Sequence, residues 1–213
     1  MTTALVLVPT NYELQQLHPL LANSVERAGG KLMTCGFGVI SSGIRTSQLL
    51  AQHSPKAVLL VGIAGAMGPQ LQVGTAACFS RIACYGIGAG SGSDFESATE
   101  LGWPQWDEFE HSEALGDIIE IDDDSCPGNS MLLTTCAASA NEEDVANKLS
   151  KFPDASAEDM EAYSVAMACR TAKIPLTVIR GISNIAGDRN KNNWNVFAAI
   201  NAAAELTNLR ISQ

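Results

Sequence analysis

The chain has 213 residues, with 13 basic against 23 acidic side chains for a net charge of −10. That balance disfavours a nucleic acid or an anionic membrane surface, both of which demand a basic face, and favours a small-molecule partner. With 46% hydrophobic and 17% charged residues it can bury a core, and its length suits one domain over 1–213.

The opening MTTALVLVPTNYE lacks a basic start, and its apolar run is only about six residues. It reads as a strand over 4–9 buried on both faces, not as a signal peptide or a membrane span. Asn11 is expected to cap the following helix, and Pro19 to interrupt or restart it before Gly29 and Gly30. Residues 31–36 and 56–62 form two more apolar runs of strand type, with a helix between them over 42–53. Residues 73–86 and 174–183 are β-prone, and helices are expected over 141–150, 160–173 and 194–209. Strands alternating with helices predict an α/β sandwich around a largely parallel, mixed sheet.

Residues 86–130 break this rhythm, with LGWPQW, the acidic run DEFEHSE and the triplet Asp122, Asp123 and Asp124. A long irregular stretch of this kind often covers a site, although its acidic parts read equally well as a solvated excursion. The six cysteines, Cys35, Cys78, Cys84, Cys126, Cys136 and Cys169, form no CxxC pair and read as free thiols in a reducing cytoplasm. His18, His53 and His111 are too scattered to make a metal site, and no cofactor motif is present. GIGAGSG, residues 86–92, lacks the GxGxxG spacing of a dinucleotide loop.

Four pieces carry chemistry. GIAGAMG, residues 62–68, sets glycines at the carboxyl end of a buried strand, where backbone can approach a ligand; a tight turn is the plain alternative. Glu13 follows the first strand closely, and Glu161 opens a helix beside Asp159 and Met160 in AEDMEAYSVAMA. Taken singly, both glutamates also read as partners of a helix dipole. RGISN, from Arg180 to Asn184, ends the last strong strand and leads into GDRNKNNW with its Arg189 and Trp194.

Together these pieces, in this order and spacing, resemble the nucleoside phosphorylase and nucleosidase superfamily nearly end to end. The resemblance implies a three-layer sandwich with a central mixed, largely parallel sheet. Within the superfamily, RGISNIAGDRNKNNW and LGWP look most like the futalosine hydrolases, which release hypoxanthine from futalosine in menaquinone biosynthesis. Phosphorylases of the hexameric kind typically carry Arg-Val-Gly-Ser where this chain has Leu60-Val61-Gly62-Ile63, so a cation and a hydroxyl needed for phosphate are missing. PTNYE likewise lacks the Gly and Arg of a phosphate cradle and offers Glu13 instead, which favours water as nucleophile.

By the same resemblance Glu13 is the general base and Glu161 accepts from the ribose hydroxyls. Met160 packs on the sugar, Ile63, Ala64 and Gly65 line the substrate, and Arg180 anchors the carboxylates or forms a structural pair with Asp159 or Glu161. Asn184 stands where adenine-specific relatives carry Asp; an amide donates to O6 and accepts from a protonated N7, so it points to a 6-oxopurine. Arg189 is a candidate for the futalosine carboxylate, or pairs with Asp188, and Trp194 is a candidate for stacking. GFGVISSG departs from the family's usual GIG turn by placing Phe37 there. The alternatives are a methylthioadenosine/S-adenosylhomocysteine nucleosidase, a purine nucleoside phosphorylase and a non-catalytic nucleoside-binding protein. The resemblance also implies a homo-oligomer, dimer or higher.

Overall fold

The computed structural model describes residues 3–107, 114–121, 126 and 130–212. The acidic triplet at 122–124 and all but the first residue of DEFEHSE lie outside them. In chain order the elements are β1 (Ala4–Val8), α1 (Asn11–Arg27), β2 (Lys31–Thr34), α2 (Gly38–His53), β3 (Ala57–Ala66), β4 (Ala76–Phe79), β5 (Arg81–Tyr85) and β6 (Gly88–Ala89). They continue with β7 (Glu96–Ser97), β8 (Ile118–Glu120), β9 (Met131–Thr135), α3 (Glu142–Lys151), β10 (Ala155–Asp159), α4 (Ala162–Thr171), β11 (Leu176–Ile185) and α5 (Val196–Ile211).

Among the described residues nine strands form one mixed sheet covered by helices on both faces, as the sandwich reading expects. Alternation along single strands shows why both faces must be covered. Leu5 and Leu7 of β1, and Val58 and Leu60 of β3, enter the core beneath α2 and α4. Their neighbours Val6, Val8, Leu59 and Val61 enter the opposite core, beneath α1 and α5. Each such buried aliphatic side chain contributes roughly 1.5–3 kcal/mol.

β1, β2, β3 and β11 run parallel to one another, and β5, β9 and β10 form a second parallel group. The two groups run in opposite directions and meet at the end of β3, where Gly65 pairs with Glu158 and Ala66 with Ala157. Carboxyl ends of both groups therefore converge on one place, a switch point of the kind where open α/β sheets bind ligands.

Several expectations change. GIAGA is not the tight turn offered as the alternative, because β3 runs on through Ala66 with β11 paired beside it from Val58 to Ala66, apart from one irregularity at Ser183. Thr10, not Asn11, caps α1, its hydroxyl accepting from the Glu13 N–H at 3.1 Å. The helix passes through Pro19 unbroken, since that position is exposed and water can serve the carbonyl it deprives of a donor. Of residues 86–107 and 114–121, β8 pairs with β5 at the far edge of the sheet and β6 with β7 in a separate two-stranded sheet, and none of them lines the cavity at the convergence point. Cys78 is joined to Cys126 by a disulfide across 48 residues, which corrects the all-thiol reading. Both sulfurs are buried in the α1/α5 core, and no short spacing announces the pair. Cys35, Cys84, Cys136 and Cys169 are free. No helix among the described residues is long and apolar enough to cross a membrane.

Candidate active site

At the convergence point lies a cavity of about 460 Å³. The end of β1 supplies Pro9 and Thr10, α1 supplies Glu13, β3 supplies Ile63, Ala64 and Gly65, and β11 supplies Ser183 and Asn184. From the opposite group come Ala138 and Ser139 after β9, and Glu158, Asp159, Met160 and Glu161 at the end of β10. Glu13, Ile63, Ala64, Gly65, Asp159, Met160, Glu161, Asn184, Arg189 and Trp194, all candidates from the sequence, line this cavity, whereas Arg180 is fully buried and does not.

Glu13 is pinned on two sides. Its Oε1 accepts the Ile63 N–H at 3.1 Å and its Oε2 accepts the Thr10 hydroxyl at 2.6 Å. The carboxyl is 5% exposed, and burial raises its pKa; the Thr10 hydroxyl, the Arg180 charge and the Ile63 N–H offset that only in part. A carboxylate moved upward toward neutrality while held in one orientation is suited to take a proton from water.

Glu161 is the N-cap residue of α4, one position before the helix rather than inside it. Its side chain does not cap; its Oε1 instead accepts the Gly38 N–H at 3.0 Å, tying the start of α2 to the cavity. Burial, and then the Asp159 charge, push its pKa up to about 7 against the pull of Arg180. Asp159 is held from behind, by the Thr134 hydroxyl at 2.7 Å, the Ala162 N–H at 3.0 Å and Arg180 at 2.5 Å.

Arg180 is fully buried and donates to Asp159 through both Nε and Nη2, with Glu161 Oε2 at 3.8 Å. Burial acts to lower its pKa, but the surrounding carboxylates, Asp159 foremost, outweigh that and hold it above the usual value. Its Nη1 has no hydrogen-bond partner. A Cβ on Gly62 would stand 2.7 Å from Nη1 and 2.7 Å from Glu13 Oε1, so only glycine lets these two groups share that face of β3. Arg180 thus pairs with Asp159 and lies near Glu161, two carboxylates that both line the cavity, a geometry common to the two readings of this residue.

The Asn184 amide has a defined orientation. Its Nδ2 donates to the Ile185 carbonyl at 2.8 Å, and its Oδ1 accepts the Ser183 hydroxyl at 2.8 Å. A second N–H and a second lone pair are left over. Nδ2 would lie 3.3 Å from a Cβ on Gly65, so the amide sits against that bare backbone. At the mouth, the Arg189 guanidinium lies 5.7 Å from the Trp194 ring centroid, and Trp194 Nε1 donates to the Asp188 carbonyl. The Asp188 carboxylate is taken by the Asn190 N–H and by Asn193 Nδ2, not by Arg189.

Sequence reading missed Ser139, Ser183 and Glu158. Glu158 hides beside Asp159 in AEDMEA, and nothing local separates the two carboxylates. Lys148, on α3, donates to Glu158 at 2.9 Å from outside any motif.

The family model described as the Phosphorylase superfamily matches residues 30–211. Among curated proteins, a 5′-methylthioadenosine/S-adenosylhomocysteine nucleosidase of Chromohalobacter salexigens is 25% identical over 174 residues, covering 78% of this chain and 71% of that one. A solved structure of the Neisseria meningitidis nucleosidase of the same name, in complex with methylthio-immucillin-A, superposes with a TM-score of 0.74 at 19% identity and covers 100% of both chains. The native futalosine hydrolase of Helicobacter pylori superposes with a TM-score of 0.75 at 15% identity, covering 100% of this chain and 99% of that one. At those identities the two structures speak for the fold alone. The family match covers most of the sequence, the sheet and its switch-point cavity agree with it, and the chain belongs to the phosphorylase superfamily.

Proposed function

We propose that the chain is a purine nucleosidase, an N-glycosyl hydrolase that releases the base from a nucleoside with water as nucleophile. The observation that carries this is the make-up of the cavity wall: among its described lining residues Glu158 and Asp159 are each bonded to a cation behind the wall, Glu13 and Glu161 carry carboxyl groups with no cation hydrogen-bonded to them, and Arg189 is the one cation on the wall itself. Such a wall repels phosphate and tolerates water. Glu13 takes the proton as water adds to the anomeric carbon, while the bond to the base nitrogen breaks and its electron pair leaves with the base. Glu161 accepts from the ribose hydroxyls, its charge favouring the cationic sugar of the transition state, and Met160 packs on the ring. The departing base takes a proton at N7 from solvent, and Asn184 Oδ1 accepts that N–H.

The similar curated proteins favour a substrate of the methylthioadenosine and S-adenosylhomocysteine class. A second reading, a 6-oxopurine nucleoside such as futalosine, is favoured by Asn184, whose spare N–H matches O6. The Arg189–Trp194 pair at the mouth would then meet the aryl carboxylate. Tyr12, Phe37, Ile40 and Ile44 are exposed together around the first turns of α1 and α2, and this apolar face supports assembly as a homo-oligomer.

The test offers methylthioadenosine, inosine and futalosine to purified protein, each with and without phosphate, and follows base release by chromatography. Release is expected without phosphate, and Glu13→Gln is expected to lower kcat by about 10²–10⁴-fold while substrate still binds. Phosphate-dependent release would overturn the hydrolase reading, and binding without turnover in the wild-type protein would leave a nucleoside-binding protein.

A further inference from the structure

Opposite Asn184 the cavity wall carries a buried ionic cluster that the chemistry above does not use. Glu158 is 5% exposed. Its Oε1 accepts the Ser139 N–H at 2.8 Å, and its Oε2 accepts the Ser139 hydroxyl at 2.7 Å and Lys148 Nζ at 2.9 Å. Lys148 Nζ also donates to Ser139 Oγ at 2.9 Å and to the Ala137 carbonyl at 3.1 Å. The ammonium has three protons and these bonds occupy all of them, while the Ser139 hydroxyl and N–H are both spent on Glu158. No donor of the cluster remains for a ligand. A carboxylate has about four acceptor positions; three are filled, so the one that this cavity-lining residue has left for a ligand is a hydrogen-bond acceptor.

The sheet sets that acceptor at a defined distance from Asn184. Both residues are register partners of Gly65, Glu158 across one edge of β3 and Asn184 across the other. Two strand spacings separate their Cα atoms, roughly 9–10 Å. Gly65 between them has no side chain, so a flat ring can stand over its backbone with one edge toward each residue.

The two edges ask for different things. Asn184 has a free N–H and a free carbonyl lone pair, and Glu158 has an acceptor only. A 6-oxopurine answers both, because O6 accepts the amide N–H and the neighbouring N1–H donates to the carboxylate. A 6-aminopurine can still answer Asn184, its amino group donating to Oδ1 and N7 accepting from Nδ2, but it fails at Glu158, where its N1 is a lone pair facing a negative oxygen.

We propose that Glu158, held by Ser139 and Lys148, is a second base-reading residue that accepts the N1–H of a 6-oxopurine opposite Asn184. The inference rests on the cavity being a purine-nucleoside site and names which purine it takes. The alternative is an ion pair that merely fastens α3 to β10.

Inosine and adenosine share a ribose and differ only at the edge in question, so kcat/KM is compared for the two. The binding of free hypoxanthine and adenine is measured by calorimetry alongside. The variants are Glu158→Gln and the double variant K148M/E158Q, which avoids leaving a buried ammonium unpaired. The wild-type protein is expected to prefer inosine and hypoxanthine, and both variants to lose about 10–100-fold of that preference, the worth of one hydrogen bond to a charged group. A preference unchanged in the double variant, whatever its melting temperature, overturns the proposal, as does a wild-type preference for adenine or no binding of either base. If the wild-type protein binds hypoxanthine with the expected preference yet hydrolyses neither nucleoside, the base-reading role stands and the nucleosidase reading falls.

Discussion

Glu161 holds its proton more tightly in the folded chain than an ordinary glutamate does, and two consequences follow in opposite directions. For activity, in the role proposed above the charged form is the one that would serve the ribose hydroxyls and the transition state, so kcat/KM should rise as pH climbs through about 7. A flat profile between roughly pH 5.5 and 8.5 would speak against that role. For stability the sign reverses. The native state binds the proton where the unfolded chain has released it, so this group's contribution falls as pH rises from its ordinary 4.5 through about 7. Glu161→Gln should therefore stabilise the fold by on the order of 2 kcal/mol at pH 8 and by little at pH 4, read as melting temperatures at the two values. The residue types Glu13, Glu161 and Asn184 were legible in the sequence because each sits at a strand end or helix start. Glu158 was not legible, because its meaning depends on Lys148 and Ser139, which only the fold brings to it.

Continuous apolar runs announced β1, β3 and β11, since a strand buried on both faces needs such a run. β10, whose residues are Ala-Ser-Ala-Glu-Asp, has no β-branched residue and two acids, yet all five positions are buried. Pairing with β9 and β3 makes it a strand, which is tertiary context overriding local preference. The continuation of β3 through Gly62 and Gly65 was equally hard to see, because glycines at a run's end read as punctuation. Gly62 is an element-level constraint with a measurable cost. In Gly62→Ala the new methyl meets Arg180 Nη1, Glu13 Oε1 and Pro9 at 3.0 Å or less. Destabilisation of about 1–3 kcal/mol is expected, together with loss of most turnover as Glu13 is displaced. A variant with native melting temperature and native kcat would show that the close approach does not matter.

For the whole molecule, composition pointed to an acidic α/β domain and motif order to the superfamily. Neither showed that the sheet is two opposed parallel groups, because strand direction is decided by crossovers and not by local pattern. The apolar face near the mouth belongs to this scale. Phe37, Ile40 and Ile44 follow helical spacing and are 62%, 75% and 58% exposed, more than an isolated chain of 22.4 kDa gains from showing to water. Light scattering should return a mass of at least twice that value, and Ile40→Asp should shift it toward a single chain. A wild-type mass of one chain would refute the assembly.

The meeting of the two strand groups has a final consequence. Among the described residues, the backbone ladder between this end of β3 and the other group is short: the Gly65–Glu158 and Ala66–Ala157 pairs, followed by the Met67 N–H to the Ser156 carbonyl. Glu13 hangs from one side of that seam and Glu158 from the other. On the proposed function, base reading and water handling thus hang from opposite sides of one short seam, so substitutions in β9, α3 or β10 should change base preference while leaving the Glu13 contacts to Thr10 and Ile63 in place.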